Sequence, residues 1–247
     1  MLHGAQLPLP VLKRWLLAYF CFYHAGTSSW IAGQSDYWTA MKSAAASSEY
    51  PRGSERRHFR AALAVSSVEE LSKELPEFWD FILAPHPTCY CNPPCIPLWA
   101  MMERVSGFRG FGEWIAFKVA DVVERMGLYR IPFDDDWTEK FLFKAPRQGA
   151  DMVVEKYAAL KVFPPVTTNV AWSFGYLRRE LGDLKAPPRY ERPLNAQEFE
   201  TILCKWKSHL GGHYPVGKDL HEVREGLHWF SRCKLSQRLL RSLPQPV

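Results

Sequence analysis

"GFRGFGEWIAFKVADVVERMG", residues 107–127, places Gly107, Gly110 and Gly112 directly before a stretch with helical periodicity. Glycine is used where the backbone needs a conformation or an approach that a Cβ forbids. Beyond the glycines, Ile115, Val119, Val122 and Met126 recur at i, i+4, i+7 and i+11, one apolar stripe of a helix over 112–126. Trp114, Lys118, Asp121 and Arg125 form a second stripe. For Arg125 that stripe reads as a solvated face beside a Lys118–Asp121 pair. Lys118, one turn from the glycines, is at least as well suited to a phosphate or substrate contact. A preceding helix over 96–105 completes a helix–hairpin–helix. Amides at the start of the second helix can hold a phosphate oxygen and so position a nucleic acid without reading its sequence. An ordinary αα-turn capped by glycines has the same spacing.

Helical patterning extends over the rest of the chain. It predicts helices at 9–24, 34–47, 68–84, 135–143, 150–160, 168–181, 196–210 and 218–243. In "SVEELSKELPEFWDFIL", residues 67–83, a Ser-x-x-Glu box predicts a helix start, and Pro76 must kink or split that helix. No alternating strand pattern survives the prolines, so the fold class is all-α. Residues 84–97 hold five of the nineteen prolines, which excludes a helix or central strand there. "KAPPRYERP", 185–193, reads as a linker between a main body, 1–184, and a basic C-terminal helical extension, 185–247.

The chain has 247 residues, 47% hydrophobic and 14% aromatic, enough for a sizeable core and too apolar for disorder. A net charge of +5 leans towards a polyanionic partner. The apolar run at 7–23 is interrupted by Lys13 and Arg14 and is too short to span a bilayer, so no membrane partner is expected. Six cysteines in a chain of this size point to a reducing, cytoplasmic setting rather than a disulfide scaffold. His86, Cys89, Cys91 and Cys95 offer four metal-binding side chains, but the C-x-C spacing is uncommon for zinc, and neither metal nor cofactor is expected.

"LYRIPFDDDWTEKF", residues 128–141, comes after the long helix. Asp134 or Asp135 would cap the next helix. Three adjacent carboxylates repel one another, and capping accounts for only one. A glycine hairpin, its helix and an apolar-Pro-apolar-Asp step together resemble the helix-hairpin-helix DNA glycosylase superfamily. The resemblance is clear over 107–143 and extends more loosely over 1–182 as an all-α, two-subdomain body. It implies that Asp134 is the catalytic carboxylate and that the target nucleotide is flipped from the helix.

"AYFCFYHAGTSSWIAG", "PRGSERRHFR" and residues 110–127 together are similar to one branch, the phage amino acid:DNA transferases, also described as α-glutamyl/putrescinyl-thymine pyrophosphorylase-like proteins. That resemblance implies double-stranded DNA carrying 5-phosphomethyluracil and a free amino acid as partners, in the cytoplasm of an infected bacterium. An amino acid nitrogen would displace phosphate at the C5-methylene. Asp134 would serve as the base, with Lys118 and Arg109 on the phosphate. His24, Thr27 and Ser28, just beyond the first helix, would take part in catalysis or bind the base edge or the amino acid carboxylate, with Asp135 also at the substrate. His24 has a blander reading as a C-terminal helix cap. Gly110, Gly112, Arg52, Arg56, Arg57 and Arg60 would contact the DNA backbone. A base-removing glycosylase and a non-catalytic DNA-binding module remain the alternatives.

Overall fold

The computed structural model describes residues 1–53, 60–75, 77–87, 94–157 and 168–244. Helices account for the regular structure, and the described residues contain no strand, only isolated bridges such as Cys95 with Arg130. The chain is all-α, as its patterning predicts. It divides into two compact units, one of residues 1–84, 104–115 and 217–247, the other of 85–103 and 116–216. The sequence division at 184/185 falls inside the second unit.

The first unit is built around α2 (Leu9–Phe22). Leu12, Trp15, Leu16, Leu17, Phe20 and Phe22 are all buried, and beyond its first turns, where Leu9, Pro10 and Arg14 reach solvent, this helix lies in the core. A left-handed Tyr23, φ 54°, ends it and returns its N–H to the Tyr19 carbonyl. The next helix, α3 (Ala25–Ala32), is absent from the sequence prediction. Ala25, Gly26, Thr27, Ser28, Ser29 and Ile31 are buried on every side, which erases the periodicity a prediction needs. Small side chains let other helices come close. A Cβ on Gly26 would collide with the Gly226 carbonyl of α13 (Lys218–Trp229), so these two helices meet backbone to backbone.

Two further predictions are corrected in this unit, at the Ser-x-x-Glu box and at the C-terminal helix. The Ser-x-x-Glu box does not start a helix: α5 spans Ala61–Glu74 and Ser67 lies in its middle. The split expected at Pro76 is met, with α5 ending at Glu74 and a separate α6 (Phe78–Ile82) after it; Pro76 itself lies outside the described residues. The long helix predicted at 218–243 is two, α13 and α14 (Lys234–Arg241), joined by a turn at residues 230–233. Completing the unit are α1 (Leu2–Ala5), α4 (Tyr37–Ala46) with its Asp36 cap, and parts of α7 (Leu98–Ser106) and α8 (Glu113–Arg125).

The second unit holds the remainder of α7 and α8, then α9 (Asp135–Lys140), α10 (Lys144–Tyr157), α11 (Asn169–Glu180) and α12 (Ala196–Leu210). Its core joins Leu142, Ala150 and Val153 to Phe174, Leu177, Phe199 and Leu203. Gly149 of α10 lies against the Leu203 carbonyl, another crossing that leaves no room for a side chain. No helix among the described residues is long and apolar enough to cross a membrane.

Candidate active site

The hairpin owes Gly110 to the protein's own backbone. Gly110 adopts φ +93°, and a Cβ there would lie 2.8 Å from the Ala64 backbone nitrogen of α5. On either side, Phe108 and Phe111 are buried and meet the Phe78 ring at 5.2 and 6.2 Å. Two aromatic pegs and one close backbone contact thus fix the turn in the first unit, and Arg109 is left exposed at its tip. Arg60 sits at the start of α5, where its Nη1 would be 3.3 Å from a Cβ on Gly112. Gly110, Gly112, Arg109 and Arg60 are therefore neighbours in space. Arg56 and Arg57 lie outside the described residues.

Also in the first unit, His24 caps the start of α3 rather than the end of α2. Its Nδ1 accepts from the Thr27 N–H at 3.1 Å, which puts the proton of the neutral ring on Nε2. Burial pushes its pKa down to about 4. The Thr27 hydroxyl donates to the Pro51 carbonyl at 2.6 Å, and the Ser28 hydroxyl to the His24 carbonyl at 2.7 Å. Both side chains are fully buried; Thr27 ties α3 to the segment at Pro51, and Ser28 closes on the helix's own cap residue. Arg52 donates from Nη2 to the Ala45 carbonyl at 2.6 Å, near the end of α4. These four residues, proposed from sequence for substrate or DNA, all make internal contacts in one neighbourhood.

In the second unit, the apolar-Pro-apolar-Asp step is an extended segment. Ile131 and Phe133 are buried, whereas Pro132 and Asp134 face outward, the alternation of period two that an extended chain imposes. Asp134 is the residue that caps α9, accepting from the Trp137 N–H at 2.8 Å. Its neighbour Asp135 takes Nη2 of Arg178 on both oxygens, at 2.7 and 2.9 Å. Asp136 is exposed. The mutual repulsion of three carboxylates is thus divided among a helix N-terminus, an arginine and solvent.

Lys118 and Arg125 lie deeper than their stripe suggests. Lys118 pairs with Glu200 of α12 at 3.6 Å. Burial alone would lower its pKa, but Glu200 and Asp121 outweigh it and hold the ammonium above its ordinary value. The reading of Arg125 as part of a solvated face is corrected: it bonds Asp121 at 2.6 Å and Glu198 at 3.0 Å in a largely enclosed network. Gln197 donates to the Asp121 carboxylate at 2.7 Å. Arg192, from the stretch read as a linker, reaches Glu124 at 3.0 Å and Glu198 at 2.8 Å. Sequence reasoning missed Arg192, Glu198 and Glu200. One local signal was available for Glu198, which completes an Asn-x-x-Glu capping box with Asn195.

The proline-rich segment is described only in part. His86 packs edge-on against Trp99, with ring centroids 4.9 Å apart, and Cys95 is buried. Cys89 and Cys91 lie outside the described residues. Among the described residues, no three His, Cys, Asp or Glu side chains come together in a way that could hold a metal ion.

Comparison with known proteins adds a family. The model for the family "Amino acid:DNA transferase" matches residues 5–214, most of the chain. "Glycinyltransferase" of Pseudomonas phage PaMx11 is 34% identical over 270 aligned residues, covering 99% of this chain and 89% of the relative. "Putrescinyltransferase" of Delftia phage PhiW-14 is 26% identical, covering 100% of this chain and 77% of the relative.

Proposed function

Because the chain belongs to the amino acid:DNA transferase family, we propose that it transfers an amino acid, glycine, onto the C5-methylene of 5-phosphomethyl-deoxyuridine in phage DNA. The reaction would be one step in a thymidine hypermodification that shields the genome from host restriction. The observation that carries this reading is the 34% identity to a phage glycinyltransferase over nearly the whole chain.

The chemistry assigns clear tasks. The amine nitrogen attacks the methylene carbon, and the carbon–oxygen bond to phosphate breaks with its electron pair leaving on phosphate. A base must take the proton from the amine, and cations must meet the departing phosphate. Asp134 is the proposed base; it is a surface carboxylate that also caps a helix. Arg109, exposed at the hairpin tip, is the proposed phosphate contact. Lys118 already faces Glu200 and would have to exchange that partner to serve in the same way. Gly110, Gly112 and Arg60 frame the proposed contact with the DNA backbone, and the target nucleotide is taken out of the stack for reaction.

The test is mass spectrometry of nucleosides from phosphomethyluracil DNA incubated with the protein and a mixture of glycine, other amino acids and putrescine. A glycine adduct is expected. A putrescine adduct would reassign the nucleophile, and abasic sites would replace the transferase reading with base removal.

A further inference from the structure

Residues 226–247 carry Arg232, Lys234, Arg238 and Arg241 and not one Asp or Glu. The turn between α13 and α14 lies in this stretch and belongs to the first unit. It is anchored from inside at two points. Phe230 stacks on Tyr50 with ring planes 10° apart and meets the His24 ring edge-on at 6.5 Å. Cys233 Sγ donates to the Ser29 carbonyl of α3 at 3.5 Å. Backbone bonds from Ser231 to His228 and from Cys233 to Phe230 close the turn itself. Between and beside these anchors, His228, Trp229, Arg232 and Lys234 face solvent.

Trp229 is 70% exposed, although neighbouring aromatic rings such as Phe230 and Tyr50 find partners. An indole held out on a pinned turn buries little surface of its own and adds little to folding. With Arg232 and Lys234 after it, against an exposed Glu225 one turn before it that is taken up by His221 at 3.2 Å, it has the chemistry that recognises a nucleic acid: a flat ring to stack on a base and positive charges for the backbone.

We infer that the α13–α14 turn is a second DNA contact, with Trp229 stacking on a base and Arg232 and Lys234 meeting phosphates. The inference rests on DNA being the substrate, as proposed above. It lies outside the residues 5–214 matched by the family model and uses none of the residues assigned there to catalysis or DNA contact.

The test compares wild type, Trp229→Ala and the Arg232→Ala/Lys234→Ala double variant in titrations of labelled duplex DNA, with and without one unpaired thymine, at several salt concentrations. All the changed side chains are exposed, and thermal melting should confirm unaltered folding. Trp229→Ala should weaken binding on the order of tenfold, most for the DNA with the unpaired base. The double variant should lower the slope of log affinity against log salt by about two, one unit for each phosphate left without its cation. Wild-type affinity and slope in both variants would overturn the inference while leaving the transferase reading intact, because that reading is judged by adduct formation in wild type. Wild type that binds no DNA would overturn both. A loss seen only with vesicles of anionic phospholipid, with DNA binding unchanged, would assign the turn to a membrane surface instead.

Discussion

Asp134 has one observed task and one proposed, and an amide can separate them. As a cap it needs only an acceptor oxygen for the Trp137 N–H, which asparagine also supplies. As a base it needs a carboxylate. Asp134→Asn should therefore fold and bind DNA like wild type while turnover falls by about two to four orders of magnitude. Raising pH should restore part of the rate, because more of the free amine is then already neutral. A carboxylate that only stabilises charge on a sugar would give no such recovery, so a pH–rate series with affinity measured alongside separates the two roles. His24 makes a different prediction. Its folded pKa of about 4 lies below its ordinary value of 6.5. The unfolded chain therefore binds the extra proton between those values, and stability should fall as pH drops from 6.5 towards 4, by up to about 3 kcal/mol. His24→Asn keeps a capping acceptor and removes the titration. Denaturant unfolding should show a shallower acid loss in that variant, and an unchanged slope would take His24 out of the account.

At the scale of elements, the hairpin is a packed joint as well as a proposed binding loop. Gly110→Ala would meet both an unfavourable φ and the α5 backbone, at a cost on the order of 2–3 kcal/mol. Arg109→Ala, at the exposed tip, should leave stability unchanged, and thermal melts of the two variants test the contrast. The elements that sequence made legible are those whose signals are local. The glycines before α8, the Asp134 cap and the apolar stripe of α8 each depend on a few neighbouring residues. The helix α3 was hidden because burial on all sides leaves no stripe. Ser67 misled because a Ser-x-x-Glu pattern can also lie inside a helix, and here α5 begins six residues earlier. Lys118 and Arg125 have partners in α12, more than seventy residues along the chain, and no local pattern reports such a pairing. The candidate site was legible to a lesser degree: the glycine turn by local spacing, the proposed role of Asp134 only through the family resemblance, the network around Arg192 not at all.

For the whole molecule, charge should govern the proposed encounter with DNA. With a net charge of +5 and exposed arginines such as Arg109, binding should weaken steeply with salt and depend little on flanking sequence. A flat salt response in a binding titration would remove backbone contacts from the picture. The division of the chain also bears on how the protein is made. Every residue of the second unit precedes position 217, whereas the first unit draws on both the earliest helices and those after 216. During synthesis, α3 emerges with its Gly26 surface bare and stays so until some two hundred further residues have been added and α13 arrives to cover it. The unit begun first is completed last, so a ribosome that stops near residue 216 releases a chain with an uncovered seam, a substrate for chaperones and proteases rather than a smaller working enzyme.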